Sequence, residues 1–171
     1  MTIRATYASI DLDALRTNLR ILRQAAAPSA VCAVVKANAY GHGSIPVALT
    51  LADEGIEWLA VALVEEGIRL RLAGIKTPIL VLEGFIAEAG DELTRHQLTP
   101  VLYRQDHLGA LSKLARGKEP IAFHLKIDTG MTRLGITLDE LPELLDALDN
   151  YPNLRLDGLM THFANADLRD H

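Results

Sequence analysis

The stretch VCAVVKANAYGHG, residues 31–43, contains the pattern on which the rest of the chain is built. Its valine-rich run, residues 31–36, predicts a buried strand. Residues 37–43, with glycines at positions 41 and 43, predict a loop in which a ligand can approach the backbone closely. Ser44 then offers an N-cap for a helix that has Pro46 in its first turn. The stretch therefore predicts a strand, a loop and a helix in succession.

The same succession recurs in both directions from this stretch. A helix over residues 13–27 precedes it, and six strand candidates, spaced by roughly 25 residues, are centred near 33, 60, 80, 100, 124 and 158. Strands that alternate with helices predict a parallel sheet with right-handed crossovers. Two architectures fit: a doubly wound open sheet, or the first six or so βα units of a (β/α)8 TIM-type barrel, which 171 residues would leave incomplete.

Composition narrows the class of protein. The chain is 49% hydrophobic and 23% charged, which favours a folded domain over a disordered one. Its net charge of −5 argues against a general nucleic-acid binder. Cys32 is the one cysteine, so an internal disulfide and a cysteine-based zinc site are excluded. With neither a signal segment nor a membrane-length apolar run, we expect a cytoplasmic protein that does not bind membranes.

Strand parity indicates which side chains share a face. Cys32, Val34 and Lys36 share one face of the first strand, and Gly158, Met160 and His162 share one face of the last. In the fifth strand the apolar face belongs under the helices, so His124, Lys126 and Asp128 are expected to point to the barrel lumen. Lys36 and His162 fall at the carboxyl ends of their strands, where α/β folds hold their active sites. A desolvated lysine there is a good Schiff-base nucleophile.

Four of the candidate site residues also have a purely structural interpretation. Lys36 could be a solvated strand-end residue, Lys126 could pair with Asp128, and His162 could be a core histidine. Arg133 is either a surface residue or a clamp for a carboxylate or phosphate.

Two further signals are weak. Residues 41–44 open a helix and could hold a phosphate through backbone N–H groups, although they match no established phosphate loop. His162, Asp167, Asp170 and His171 contain metal-binding side chains, but their spacing matches no recognised pattern, so we predict no metal site.

Five segments, in chain order, carry a resemblance. They are IDLDAL (10–15) with Asn18, VVKANAYGHG (34–43), LEGF (82–85), KIDTGMTRLG (126–135) and THFA (161–164). Together they resemble the alanine racemases, which use pyridoxal 5′-phosphate (PLP), and the segment around Lys36 resembles the lysine signature of that family.

The resemblance implies a role for each residue of the site. Lys36 would hold PLP as an aldimine and exchange a proton at the substrate Cα. Tyr40 would bind the cofactor phosphate, and His162 would pack beside the pyridine ring. Arg133 would lie near the phenolic oxygen and the substrate carboxylate. Lys126 would carry a carbamate that positions the arginine.

It also implies what the complete protein does. The family forms homodimers that interconvert L- and D-alanine, supplying D-alanine for peptidoglycan or for catabolism. Residues 1–171 would be a partial PLP-binding barrel, without the family's C-terminal β-domain, its main phosphate loops or the tyrosine that serves as second base. We therefore expect these residues alone to be inactive.

Two alternatives remain open. One is a small single-barrel PLP-homeostasis protein without racemase activity, although the lysine motif of that group differs from residues 36–43. The other is a truncated, non-catalytic chain whose open sheet edges would drive association.

Overall fold

A parallel sheet whose spatial order follows the chain forms the centre of the fold. The computed structural model describes residues 6–117 and 119–168, and within these ranges the sheet has six strands. A doubly wound sheet reverses its strand order at the centre, so the sequential order β1-β2-β3-β4-β5-β6 identifies the barrel arrangement. Within the described residues the sheet is not closed, since β1 pairs with β2 and β6 with β5. The strands are β1 Cys32–Val34, β2 Trp58–Val61, β3 Ile79–Val81, β4 Thr99–Leu102, β5 Ile121–Lys126 and β6 Leu154–Met160.

Helices fill the connections between these strands, as the alternation predicts. They are α1 Leu12–Ala26, α2 Lys36–Tyr40, α3 Ser44–Asp53, α4 Val64–Leu72, α5 Gly90–Arg95, α6 Gln105–Ser112 and α7 Leu141–Leu148, with a 3₁₀ turn at Ala87–Ala89. None of the helices in the described part of the chain is long and apolar enough to cross a membrane.

Several predicted boundaries differ from the observed ones. The sequence predicts that Asp13 caps the first helix, but the N-cap of α1 is Asp11, whose carboxylate accepts the backbone N–H groups of Asp13 and Ala14 at 2.9 Å. The apolar periodicity also predicts helices over residues 105–116 and 138–150, and both are shorter in the structure, since α6 ends at Ser112 and α7 spans Leu141–Leu148.

The main core lies between the sheet and its helices. Phe123 and Leu125 of β5 are fully buried there, together with Leu108 and Leu111 of α6. The opposite, inner face carries a smaller apolar cluster of Ala60, Leu80 and Val101, bordered by Trp58, Leu82 and Met160. The inner face therefore keeps room for polar side chains.

An extra residue in β6 changes which face its side chains occupy. Phe123 pairs with Leu156, but His124 pairs with Gly158, so Asp157 is left as a β-bulge. Leu154 and Leu156 consequently lie on the helix side, whereas Gly158 and Met160 lie on the inner side. Unbroken alternation from Leu154 would have put all four on one face.

Candidate active site

The inner face opens at the carboxyl ends of the strands into a cavity of about 770 Å³. Its ionisable lining is mostly basic: Lys36, His124, Lys126, Arg133 and His162. Glu83 is the one carboxylate among the described residues that line it. This excess of positive charge suits an anionic ligand.

Lys36 enters the cavity from the end of β1. It lies two residues beyond Val34, is half-buried and begins the short helical turn α2. The sequence predicts a loop here, but Ala37 to Tyr40 have φ between 49° and 57°, which is a left-handed turn. Left-handed backbone costs a residue with a Cβ about 1–2 kcal/mol. The turn brings Tyr40, which is 61% exposed, to the same cavity as Lys36.

Backbone and side-chain hydrogen bonds hold this turn. Ala39 N–H donates to the Val35 carbonyl at 2.9 Å, and Gly43 N–H donates to the Asn38 carbonyl at 2.9 Å. The Asn38 side-chain oxygen accepts from Ser44 N–H at 2.8 Å. The N-cap position of α3 is Gly43, and Ser44 is its first residue rather than its cap. The N–H of Ser44 is thus already bonded within the chain, which weakens the predicted phosphate site at 41–44.

Lys126 is the most buried of the basic side chains that line the cavity in the described residues, with 6% of its surface exposed. Burial lowers its pKa, the cations Arg133 and Lys36 lower it further, and Asp128 opposes them. The pairing with Asp128 that the sequence left open does not form among the described residues. The Asp128 carboxylate instead accepts the backbone N–H groups of Gly130 and Thr132 at 2.9 Å each.

Arg133 reaches the cavity from a loop that is closed at its base. Asp128 N–H donates to the Ile136 carbonyl at 2.8 Å, and Ile136 N–H donates to the Lys126 carbonyl at 3.0 Å. Gly135, at φ 135°, permits the close approach, because a Cβ there would lie 2.5 Å from the Asp128 nitrogen. The exposed Arg133 side chain is therefore carried on a backbone whose ends are fixed.

His162 follows β6 at the mouth of the cavity and is exposed, so it is not a core histidine. Its neighbour Thr161 fixes the segment, since its hydroxyl donates to the Ile127 carbonyl at 3.0 Å and lies 2.6 Å from the Thr129 hydroxyl. The structure thus brings Lys36, Tyr40 and His162 to the same cavity as Lys126 and Arg133.

Aromatic packing forms part of the cavity wall. The rings of Trp58 and His124 have centroids 5.4 Å apart, and burial lowers the pKa of His124. Gly158 makes room for this histidine, because a Cβ there would lie 2.9 Å from its ring. Sequence reasoning missed Trp58 and Glu83 as lining residues. The parity that selected Lys126 could also have found Trp58, two positions before Ala60.

The candidate metal ligands do not form a site in the described residues. His162 and Asp167 are described, whereas Asp170 and His171 lie outside the described residues. No group of three or more histidine, cysteine or acidic side chains in residues 6–117 and 119–168 is arranged to hold a metal ion.

Fold and cavity together define a class of protein: an α/β barrel half with a lysine-bearing, mostly basic cavity at its strand ends. Residues 10–171 match the family described as alanine racemase, N-terminal domain. The chain belongs to the alanine racemase family.

Curated alanine racemases are similar in sequence to nearly the whole of this chain. Alanine racemase from Carboxydothermus hydrogenoformans is 40% identical over 169 residues, which cover 98% of this chain and 46% of that protein. Alanine racemase from Geobacillus stearothermophilus is 43% identical over 166 residues, covering 96% of this chain and 43% of that protein. This chain thus spans less than half the length of these relatives.

Solved structures agree in fold. A structure of alanine racemase from Clostridium difficile 630 superposes with a TM-score of 0.89 at 35% identity, covering 98% of this chain and 45% of that one. A histidine racemase from Leuconostoc mesenteroides, at 24% identity and a TM-score of 0.85, has the same fold.

Proposed function

We propose that the protein containing this chain is a PLP-dependent alanine racemase and that the 770 Å³ cavity is its cofactor site. The observation that carries the proposal is the amine of Lys36, which lines a predominantly cationic cavity at the carboxyl ends of parallel strands. The racemases that match the chain support the choice of reaction. The whole protein would act as a cytoplasmic homodimer on L- and D-alanine.

The residues of the cavity fit the chemical groups of PLP. An aldehyde condenses with an amine, and Lys36 offers one at the cavity wall. The phosphate is an anion that accepts hydrogen bonds, and the Tyr40 hydroxyl and the positive surroundings suit it. His162 at the mouth offers a flat ring against which the pyridine can pack.

Lys36 and Arg133 would have separate roles in the reaction. PLP, when bound, withdraws electrons from the substrate Cα and so makes its hydrogen acidic. Lys36 Nζ moves this proton on one face of Cα, while the Arg133 guanidinium orients the substrate carboxylate. Racemisation also needs a group on the opposite face, which we assign to a tyrosine of the partner subunit outside this chain.

Lys126 is proposed to carry a carbamate in the complete protein. Its lowered pKa gives Lys126 a larger fraction of neutral amine than an ordinary lysine has, and the neutral amine is the form that adds to carbon dioxide with loss of a proton. The product replaces a buried cation by an anion next to Arg133, and an anion can accept two hydrogen bonds from the guanidinium.

The decisive experiment compares Lys36→Ala with Lys76→Ala in the complete protein. Lys76 is exposed and lies outside the cavity, so it serves as the matched control. Borohydride reduction followed by peptide mapping should find the cofactor on Lys36 in the wild type and the control, and should find none in Lys36→Ala. If Lys36→Ala still showed the absorbance of covalently attached PLP, the assignment of Lys36 as the attachment site would be refuted.

A chiral assay separates racemase from simple cofactor binding. The complete protein should produce D-alanine from L-alanine. Trapping of PLP on Lys36 without formation of D-alanine would instead favour a PLP-homeostasis function and would overturn the proposed reaction.

A further inference from the structure

Glu66 joins the turn after Lys36 to the neighbouring βα unit. Its carboxylate oxygen Oε1 accepts the backbone N–H of Ala37 at 2.6 Å, across 29 residues of sequence. The other oxygen, Oε2, accepts the N–H groups of Ala62 at 2.8 Å and Leu63 at 3.2 Å. One side chain therefore ties the end of β1 to the start of α4.

The two oxygens have separate tasks. Leu63 is the N-cap residue of α4 and has no side-chain acceptor, so Oε2 satisfies backbone donors at the start of that helix. Oε1 is left for Ala37, which is the first residue of the left-handed turn. Capping of α4 alone would not require this second contact.

We infer that Glu66 is a positioning residue for the cofactor lysine. By holding the N–H that directly follows Lys36, it stabilises the left-handed turn and thereby the directions of Lys36 and Tyr40 into the cavity. This inference rests on the proposed function. Glu66 itself does not line the cavity, so it acts through the backbone rather than on the cofactor.

The chemistry of the contact explains why a carboxylate is needed. A carboxylate presents two acceptor oxygens, whereas a glutamine presents one oxygen and one NH₂ group. In Glu66→Gln the single oxygen can therefore accept either the N–H of Ala37 or the N–H groups at the start of α4. The NH₂ group then points at the remaining backbone donor, with which it cannot form a hydrogen bond. Glu66→Asp keeps the charge and a helix-start acceptor, but its side chain is one methylene too short to span both sites.

Three variants of the complete protein test the inference: Glu66→Gln, Glu66→Asp and the control Glu65→Gln. Glu65 lies in the same first turn of α4 and is exposed, so its replacement matches the loss of charge there. The first measurement is amide hydrogen exchange in the cofactor-free protein. Residues 37–42 should exchange about tenfold faster in both Glu66 variants and at the wild-type rate in the control.

The second measurement is the dissociation constant for PLP, obtained by titrating the cofactor-free proteins, together with the melting temperature. Both Glu66 variants should bind PLP about tenfold more weakly, and Glu66→Asp should keep a near wild-type melting temperature. Unchanged PLP binding and unchanged exchange at 37–42 would overturn the inference. A lower melting temperature with unchanged PLP binding would show that Glu66 serves only as a helix cap. That result would also overturn the inference.

These measurements distinguish the two proposals from each other. Failure of the wild type to bind PLP at Lys36 would refute the proposed function. The exchange experiment needs no cofactor, so it reports on the contact between Glu66 and Ala37 in either case.

Discussion

The two faces of β5 carry out different tasks within a single strand. Phe123 and Leu125 point toward the helices and are completely buried in the apolar core. His124 and Lys126 alternate with them and line the cavity. Neighbouring residues of one strand thus serve either the stability of the core or the chemistry of the cavity, because successive side chains of a strand point to opposite faces. Substitutions on the two faces should therefore have different consequences.

The largest expected effect is on the helix-covered face. Leu125→Ala removes a fully buried side chain and leaves a cavity, so the free energy of unfolding should fall by about 2–5 kcal/mol. Urea denaturation of the complete protein measures this loss. A loss below roughly 1 kcal/mol would mean that this face is not the packed core.

Arg133→Ala should show the opposite behaviour. The guanidinium is exposed, and the loop that carries it is closed by Asp128 and Gly135 rather than by the arginine. In the complete protein, under the proposed racemase function, we expect kcat/KM for L-alanine to fall about 100-fold, as for loss of one oriented donor. The unfolding free energy should change by less than about 0.5 kcal/mol. Parallel losses of activity and thermal stability would instead indicate a structural arginine.

The backbone gives a smaller contrast of the same kind. Ala37 lies in the left-handed turn at φ 49°, whereas Ala25 is an exposed residue of the right-handed helix α1. Ala37→Gly should raise the unfolding free energy by about 0.5–1 kcal/mol, because glycine adopts this conformation without strain. Ala25→Gly should lower it by about 0.5 kcal/mol. Equal signs for the two variants would contradict the strained turn.

One histidine on each side of the sheet should make stability depend on pH. Burial lowers the pKa of His124 on the inner face and of His107 on the helix side. A histidine with a lowered folded pKa binds fewer protons than in the unfolded chain, so stability falls as pH drops from about 6.5 toward that folded pKa. His124→Gln and His107→Gln should each lose less stability over this window than the wild type. The measurement is the unfolding free energy of each protein at pH 7 and at pH 5. If both variants had the pH dependence of the wild type, neither histidine would have a lowered pKa in the folded chain.

Much of the architecture follows from local sequence patterns. The alternation of apolar strands with helices is a property of neighbouring residues, so all six strands and the parallel sheet could be predicted. Parity likewise predicted that Lys126 faces the barrel lumen, and the positions of Lys36 and His162 at strand ends predicted that they lie near it. The observed strand order then removed the doubly wound alternative, which local patterns could not do.

The missed features depend on partners that are distant in sequence. Ala37 adopts a left-handed conformation that its side chain disfavours, and its N–H is held by Glu66, 29 residues away. Trp58 packs on His124 of a different strand, although the alternation along β2 alone could have placed it on the inner face. The contact between Glu66 and Ala37 leaves no periodic signal in the sequence, so only the folded chain reveals it.

The bulge at Asp157 bears on how this strand tolerates changes in length. A one-residue deletion within an ordinary strand reverses the orientation of everything downstream of it. Removal of the bulged Asp157 would leave His124 opposite Gly158 and Leu125 opposite Leu159, so the inward and outward sets after it would stay as they are. Position 157 is thus a place where the chain could lose a residue during evolution and still deliver His162 to the cavity mouth.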